Sequence, residues 1–328
     1  MKAASKSVST AKSLRHRLEW VALRTVAAII PLFPRPFVWR LGRGLGALAY
    51  RLSANVRAVS RANLELAFGT AKTPAEKDRI ARRSLQNAVA TILCLFWSRR
   101  LTRENYRQFV EIDAANLEAL RAIKQQNRPV IFLTLHFGDW ELLGQTTGFM
   151  GFPLTVVQEA MRNSSLETIF ARLRGVSGHA LVPNRFAATT LLRTLKHGGS
   201  IALLIDQNAT RKRGGTWLEF FGLPVFSPAA IGAFALRTQA ALIPGVAYPL
   251  GNGRTRIEYG PEIVCPRTGD DAADVRALNQ ACLRFCESVI REQPEHWLWS
   301  YKRWTPRATP EQGRYPAYSR YVKLEARP

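Results

Sequence analysis

The sequence predicts an α/β protein whose mostly parallel sheet is flanked by helices, joined to an N-terminal helical region that anchors it to a membrane. Three observations carry that expectation. The runs Val130 to Leu135 and Ser200 to Ile205 are apolar or β-branched without polar alternation, the pattern of strands covered on both faces. Strand and helix patterns then alternate, which favours parallel strands with crossover helices. Before them, basic residues interleave with apolar and aromatic ones in the manner of a membrane–water interface.

Residues 1–17 are rich in Ser, Ala, Lys and Arg and read as a frayed basic arm. Leu18 to Pro34 is apolar apart from Glu19, Arg24 and Thr25, marginal against the roughly 20 apolar residues a membrane span needs. Phe37 to Leu52 is a second apolar stretch, carrying Arg40, Arg43 and Arg51 with Gly42, Gly44 and Gly46. These features set 1–54 apart as an anchoring region, 55–305 as the α/β domain and 306–328 as a polar, loosely held tail.

Helices are predicted over Val56 to Leu66 and over Pro74 to Trp97, the latter with Thr73 as N-cap and Pro74 at the first helical position. Tyr106 to Ile112 reads as a strand and Ala114 to Gln126 as a helix. Further on, strands are expected at Leu154 to Gln158, Ala180 to Val182, Ala241 to Pro249 and Thr255 to Tyr259. Helices are expected at Ser164 to Arg174, Ala187 to Lys196, Ala229 to Gln239 behind a Ser227 cap, and Asp271 to Glu292. Phe220 to Pro224 reads as an apolar turn.

Lys and Arg number 47 against 24 Asp and Glu, a net charge of +23, which attracts nucleic acid, anionic membrane or acidic protein partners. Up to Asn63 there are twelve basic residues and one acid, so about half the excess lies in the first fifth of the chain. Charge concentrated beside apolar helices favours an anionic bilayer over nucleic acid. The four cysteines form no CxxC pair, and Cys282 and Cys286, four apart on a helix, suit a core face better than a metal site. No cofactor or metal is expected.

The chemistry points to the end of the first buried strand. His136 follows Leu135 where open α/β sheets place their ligand crevice. Gly138 and Asp139 then make a turn and helix cap, and Trp140 starts the helix carrying Glu141. Such a corner can fold the Glu141 carboxylate back onto the imidazole, the minimal apparatus of a general base. The second buried strand ends on Asp206 and Gln207. The following loop carries Arg211, Lys212 and Arg213 among glycines, a combination suited to an anionic group. No G-x-S-x-G elbow is present. Gly175-Val176-Ser177-Gly178 lacks the strand–turn–helix setting, which speaks against a serine hydrolase. A non-enzymatic basic module that binds membrane or nucleic acid would need neither strand-end site.

Four stretches in order give the chain its resemblance: the basic N-terminus, His136-Phe-Gly-Asp-Trp-Glu141, Leu204-Ile-Asp206-Gln207 with Phe220-Phe221-Gly222, and Pro294-Glu-His-Trp297-Leu-Trp299-Ser-Tyr-Lys302-Arg303-Trp304. Over roughly residues 15 to 305 it resembles the bacterial lipid A biosynthesis acyltransferases, the late lauroyl/myristoyl enzymes of H-x4-D/E type. The resemblance implies a glycerolipid-acyltransferase-like fold, an inner-membrane anchor with the catalytic domain on the cytoplasmic side, and acyl transfer from a thioester on acyl carrier protein to a lipid hydroxyl. It implies His136 as the base and Glu141 as its orienter, with no acyl-enzyme. Asp206 and Gln207 match the family's Asp-Gln pair, placed to position the acceptor or the corner. The chain departs from the pattern at Gln158-Glu159-Ala-Met161-Arg162-Asn163, where relatives often show an Arg a few residues before an Asn. Arg162 stands as the substitute, and the acceptor, a lipid A precursor or another lysolipid or phospholipid-like molecule, stays open.

Overall fold

In a computed structural model of the chain, residues 2–158, 163–209, 214–265 and 267–323 are described. Four helices come first: α1 (Lys2–Ile29), α2 (Arg35–Leu52), α3 (Ala54–Phe68) and α4 (Pro74–Trp97). The backbone is helical from Lys2, so the frayed arm expected over 1–17 is not seen. That segment, rich in Ala and Lys, has no Gly or Pro to break a helix. Among the described residues no helix is long and apolar enough to cross a membrane. Helix α4 starts on a full capping box: Glu76 N–H donates to the Thr73 hydroxyl, and Thr73 N–H donates to the Glu76 carboxylate.

The α/β part runs β1 (Val110–Ile112), α5 (Ala114–Gln125), β2 (Val130–Thr134), α6 (Trp140–Phe149), β3 (Leu154–Gln158), α7 (Ser164–Arg174), β4 (Ala180–Pro183), α8 (Ala187–Lys196) and β5 (Ser200–Leu204). It continues through the hairpin β6 (Thr216–Phe220) and β7 (Leu223–Ser227), then α9 (Ala230–Thr238), β8 (Ala241–Pro249), β9 (Thr255–Tyr259) and α10 (Asp271–Glu292). A short pair, β10 (Pro306–Arg307) and β11 (Arg320–Tyr321), closes it.

Seven strands form the main sheet in the order β1-β9-β8-β2-β5-β3-β4. All neighbours are parallel except β8 and β9, a hairpin at the other side of β2 from β5. The mostly parallel sheet expected from the sequence is therefore present. Successive β2 side chains point to opposite faces. Ile131, Leu133 and Leu135 join a core with α3, α8, α9 and α10, while Val130 and Phe132 join a second core with α2, α4, α5 and α6. Both faces of β2 are thus covered, as its unbroken apolar pattern requires.

Further local expectations failed in four places. The strand expected over Tyr106 to Ile112 is present only at Val110–Ile112, because Tyr106–Gln108 closes into a turn of 3₁₀ helix. Phe220 to Pro224 is the centre of an antiparallel hairpin and not a bare turn; Phe221 holds φ +51° and Gly222 φ +72° at its tip. A Phe in the left-handed region is uncommon and hid the hairpin signal. Ser227 does not cap α9: Ala229 precedes that helix without a side-chain cap, and the Ser227 hydroxyl instead accepts from Arg303. The tail is packed: Tyr315 is buried with its hydroxyl donating to Pro224 O at 2.8 Å, and Tyr318 O–H donates to Asn63.

The turn after β2 depends on one glycine. Gly138 has φ +55°, and a Cβ there would lie 1.7 Å from Ala247 O. No side-chain rearrangement relieves a clash with a β8 carbonyl. Gly138→Ala is expected to destabilise the protein by at least about 4 kcal/mol, combining positive φ with backbone overlap. Urea unfolding monitored by circular dichroism checks this, and an unchanged midpoint would contradict it.

Candidate active site

The β2–β5 register pairs Thr134 with Leu204. Two residues further on, past the ends of both strands, His136 and Asp206 are level with each other. Asp206 is buried, and its Oδ2 accepts from the His136 backbone N–H at 2.9 Å. The same oxygen accepts from Trp297 Nε1 at 2.9 Å, and Oδ1 lies 3.1 Å from His136 Nδ1. This sets the tautomer: Nδ1–H donates to the carboxylate, leaving Nε2 of the neutral ring without a proton. Burial opposes charging the imidazole, but the adjacent Asp206 carboxylate outweighs it and raises the His136 pKa above its ordinary value. Burial likewise pushes the Asp206 carboxyl up, and His136 with the converging N–H donors holds it below the usual range. The two shifts agree in sense. His136 keeps 22% of its side chain accessible, Gln207 Nε2 sits 3.3 Å from its Nε2, and Trp140 packs edge-on against the ring.

The hydrogen bond that the sequence pattern assigned to Glu141 is therefore made by Asp206. Glu141, one residue into α6, instead forms a two-pronged pair with Arg174 at the end of α7: Nε to Oε2 at 3.0 Å and Nη2 to Oε1 at 2.6 Å. The physical reason is reach. Asp206 arrives from the neighbouring strand at the level of the imidazole, whereas the first turn of α6 carries Glu141 toward α7. Glu141 still acts on His136 through space, as a smaller contribution to its raised pKa.

Asp139 is the cap that the sequence suggests, with Leu142 N–H donating to its Oδ1 at 3.3 Å. Its other oxygen takes Arg35 Nη2 at 2.5 Å in a fully buried pair. Arg35 Nε also donates to Gly253 O at 2.8 Å, so the first residue of α2 ties the N-terminal helices to this corner.

The terminal Trp-rich motif is the other support. Phe137 bridges to Trp297, Gly138 N–H donates to His296 O at 2.9 Å, and Leu298 N–H donates to His136 O at 3.2 Å. Arg303 is completely buried and props the end of β5, donating to Gln207 O and Asn208 Oδ1 at 2.9 and 3.0 Å and to the Ser227 hydroxyl. Burial brings its pKa down to about 10. The sequence marked this motif as a match but offered no partners for Trp297 or Arg303, because both act on residues about ninety positions away.

His136, Glu141, Arg174 and Gln207 open onto a cavity of about 710 Å³. Phe132, Leu143, Val156, Leu191, Phe234 and Tyr259 contribute its apolar lining. A large apolar space with a few polar groups gathered at one place is the usual form of a small-molecule site. Arg162 and the Arg211, Lys212 and Arg213 cluster lie outside the described residues. His179 is held by backbone on both nitrogens, accepting from Leu154 N–H at 3.0 Å and donating to Gly144 O at 2.8 Å. No Ser–His pair is formed with the nearby Ser177, whose hydroxyl is buried.

The chain's similarity to known proteins follows the same residues. The sequence model of bacterial lipid A biosynthesis acyltransferases matches residues 8–305. The chain is 26% identical to the lipid A biosynthesis palmitoleoyltransferase of Escherichia coli (strain K12) over 307 residues, covering 92% of this chain and 95% of that protein. It is 24% identical to the lipid A biosynthesis lauroyltransferase of the same organism, again over 92% of this chain and 95% of that protein. With the phosphatidylinositol mannoside acyltransferase of Mycobacterium tuberculosis (strain CDC 1551 / Oshkosh) it shares 26% identity, over 62% of this chain and 65% of that protein. A strand-end histidine at the mouth of an apolar cavity and a match along nearly the whole chain lead to one conclusion: the protein is an acyltransferase and belongs to the bacterial lipid A biosynthesis acyltransferase family.

Proposed function

We propose that the protein transfers a fatty acyl chain from a thioester, with acyl carrier protein as the donor, to a hydroxyl of a lipid A precursor or closely related glycolipid. The observation that carries this reading is the His136 imidazole, held by Asp206 through Nδ1 with Nε2 left at the mouth of the cavity. The acceptor hydroxyl approaches Nε2 in place of the long Gln207 contact and attacks the thioester carbonyl as its proton passes to the imidazole. The new C–O bond forms, the C–S bond breaks, and the proton held by His136 goes to the departing thiolate. Asp206 stabilises the imidazolium in between. A thioester is already activated, so no side-chain nucleophile enters the sequence.

Glu141 and Arg174 line the cavity beside the imidazole and suit a charged or polar portion of a substrate. Arg162, Arg211 and Arg213 are assigned to anionic groups of the acceptor by their charge. The net +23 steers acidic acyl carrier protein and phosphorylated lipid toward the chain. Inner-membrane attachment is assigned to the N-terminal helices, lying in the interface, with the α/β part on the cytoplasmic side. The similarity to a phosphatidylinositol mannoside acyltransferase supports a second acceptor class, a phospholipid-based glycolipid.

Incubating the full chain with acyl-loaded acyl carrier protein and either acceptor, followed by lipid mass spectrometry, tests the reading. The expected product is heavier by one acyl chain, with one thiol released per acyl group transferred. Thiol release without an acylated lipid would make the protein a thioesterase and overturn the assignment.

A further inference from the structure

Helix α2 has two unlike faces. Val38, Trp39, Gly42, Gly46 and Tyr50 are buried, and a Cβ on Gly42 or Gly46 would come within 2.6 Å of the α4 backbone, so the two helices touch closely there. Phe37, Leu41, Leu45, Leu48 and Leu52 lie on the opposite side at helical spacing, with exposures from 37% to 74%. A continuous apolar row of this length on an exposed helix calls for a partner.

At its C-terminal end the row runs into a recess of about 560 Å³, sharing Leu48 with it. The recess is lined by Arg51, Arg57, Arg61 and Arg82 against one carboxylate, Asp78. That carboxylate is already engaged by Arg61 at 2.5 Å and by the Tyr50 hydroxyl at 2.8 Å. Arg57 is held in place by donating to the backbone carbonyls of Tyr50 and Arg51. No carboxylate pairs with Arg51, Arg57 or Arg82 among the described residues. Four guanidinium groups around a cavity with one spent carboxylate leave an excess of positive charge that an anion relieves, and guanidinium forks match phosphate oxygens. The recess shares no residue with the catalytic cavity.

We propose that this recess holds the phosphate of an anionic phospholipid headgroup while the neighbouring α2 row lies among the acyl chains. The site is separate from the acceptor site and deepens the interfacial placement of the N-terminal helices, on which it rests. Charge complementarity names the headgroup, and continuity with the apolar row names a lipid and not a soluble anion. It fixes the azimuth of α2 on the bilayer and hence, through the Arg35–Asp139 pair, the orientation of the catalytic corner to the surface.

Flotation of the full chain with vesicles of phosphatidylcholine alone, and of phosphatidylcholine doped with phosphatidylglycerol, tests the proposal at fixed salt. Arg51→Ala/Arg82→Ala removes two side chains that make no hydrogen bond or ion pair among the described residues, so folding is expected to survive and is checked by circular dichroism. The double variant is expected to lose at least about tenfold in affinity for the doped vesicles and to keep wild-type binding to the neutral ones. Arg237→Ala/Arg276→Ala, which removes equal charge from exposed positions on α9 and α10, is expected to lose less than about half that factor. Equal losses in the two variants, or none in the first, would overturn the headgroup site and leave the apolar-row placement standing. Wild-type chain that floats with neither vesicle would overturn both. Stabilisation by inorganic phosphate that depends on Arg51 and Arg82, without any headgroup dependence in flotation, would replace the lipid with a soluble anion.

Discussion

His136→Ala is expected to lower acyl transfer by about 10³-fold, within the range a positioned general base supplies. The chain should still fold, because the variant loses the imidazole contacts but keeps two backbone bonds at this position: N–H to Asp206 Oδ2 and carbonyl to Leu298 N–H. Asp206 retains the Trp297 indole donor as well. The loss should therefore appear in kcat with little change in melting temperature or in binding of acyl carrier protein. Steady-state transfer assays with labelled thioester, alongside thermal unfolding, check this. A variant that keeps a third of the wild-type rate would remove His136 from the chemistry.

Asp206→Asn is expected to cost roughly 10² to 10³ in rate, since the amide cannot stabilise an imidazolium and permits the wrong tautomer. It should also move the pH profile in a defined direction. The imidazole must be neutral to accept a proton, so the rate falls as pH drops through the His136 pKa. Asp206 raises that pKa against the effect of burial. With the carboxylate gone, burial remains, and the acidic limb of kcat should shift to lower pH. Glu141→Gln should shift it in the same sense but less, because the Glu141 charge acts only through space and is engaged by Arg174. A larger shift from Glu141→Gln than from Asp206→Asn would return the orienting role to Glu141.

The contrast between these two carboxylates shows what could be read from the chain. Glu141 is five residues from His136, and a spacing motif draws the eye to it. Asp206 is seventy residues away, and its relation to His136 depends on β5 lying beside β2 in a parallel register that levels their ends. The sequence carried half of that information: two fully buried strands, each ending on polar residues, are candidates for adjacency at a crevice. It did not carry the strand order, which is a property of how the helices α6 to α8 pack. The same limit applied to Arg35, Arg174, Trp297 and Arg303, whose partners lie between 33 and 218 residues distant.

Local signals, by contrast, were read with small error wherever the chain itself enforces them. The Thr73–Glu76 capping box, the Asp139 cap and the limits of α8, α10, β3, β8 and β9 all follow from residues within a few positions of each other. Reading failed where a tertiary bond overrode local preference, as at Ser227 with Arg303 and at Phe221, whose N–H donates to Glu287 at 2.7 Å, or where an apparently loose tail found a groove, as at Tyr315.

By itself the sequence determined the α/β class, the strand-end position of His136 and the basic, amphipathic character of the N-terminal helices. These rest on hydrophobic periodicity, turn chemistry and charge, which act over short distances along the chain. Only the tertiary structure decided which carboxylate holds His136, that Glu141 belongs to Arg174, and that Arg51 and Arg82 share one recess beside the exposed row of α2. Those are contacts between distant segments, set by strand order and close helix packing, and no spacing in the chain encodes them.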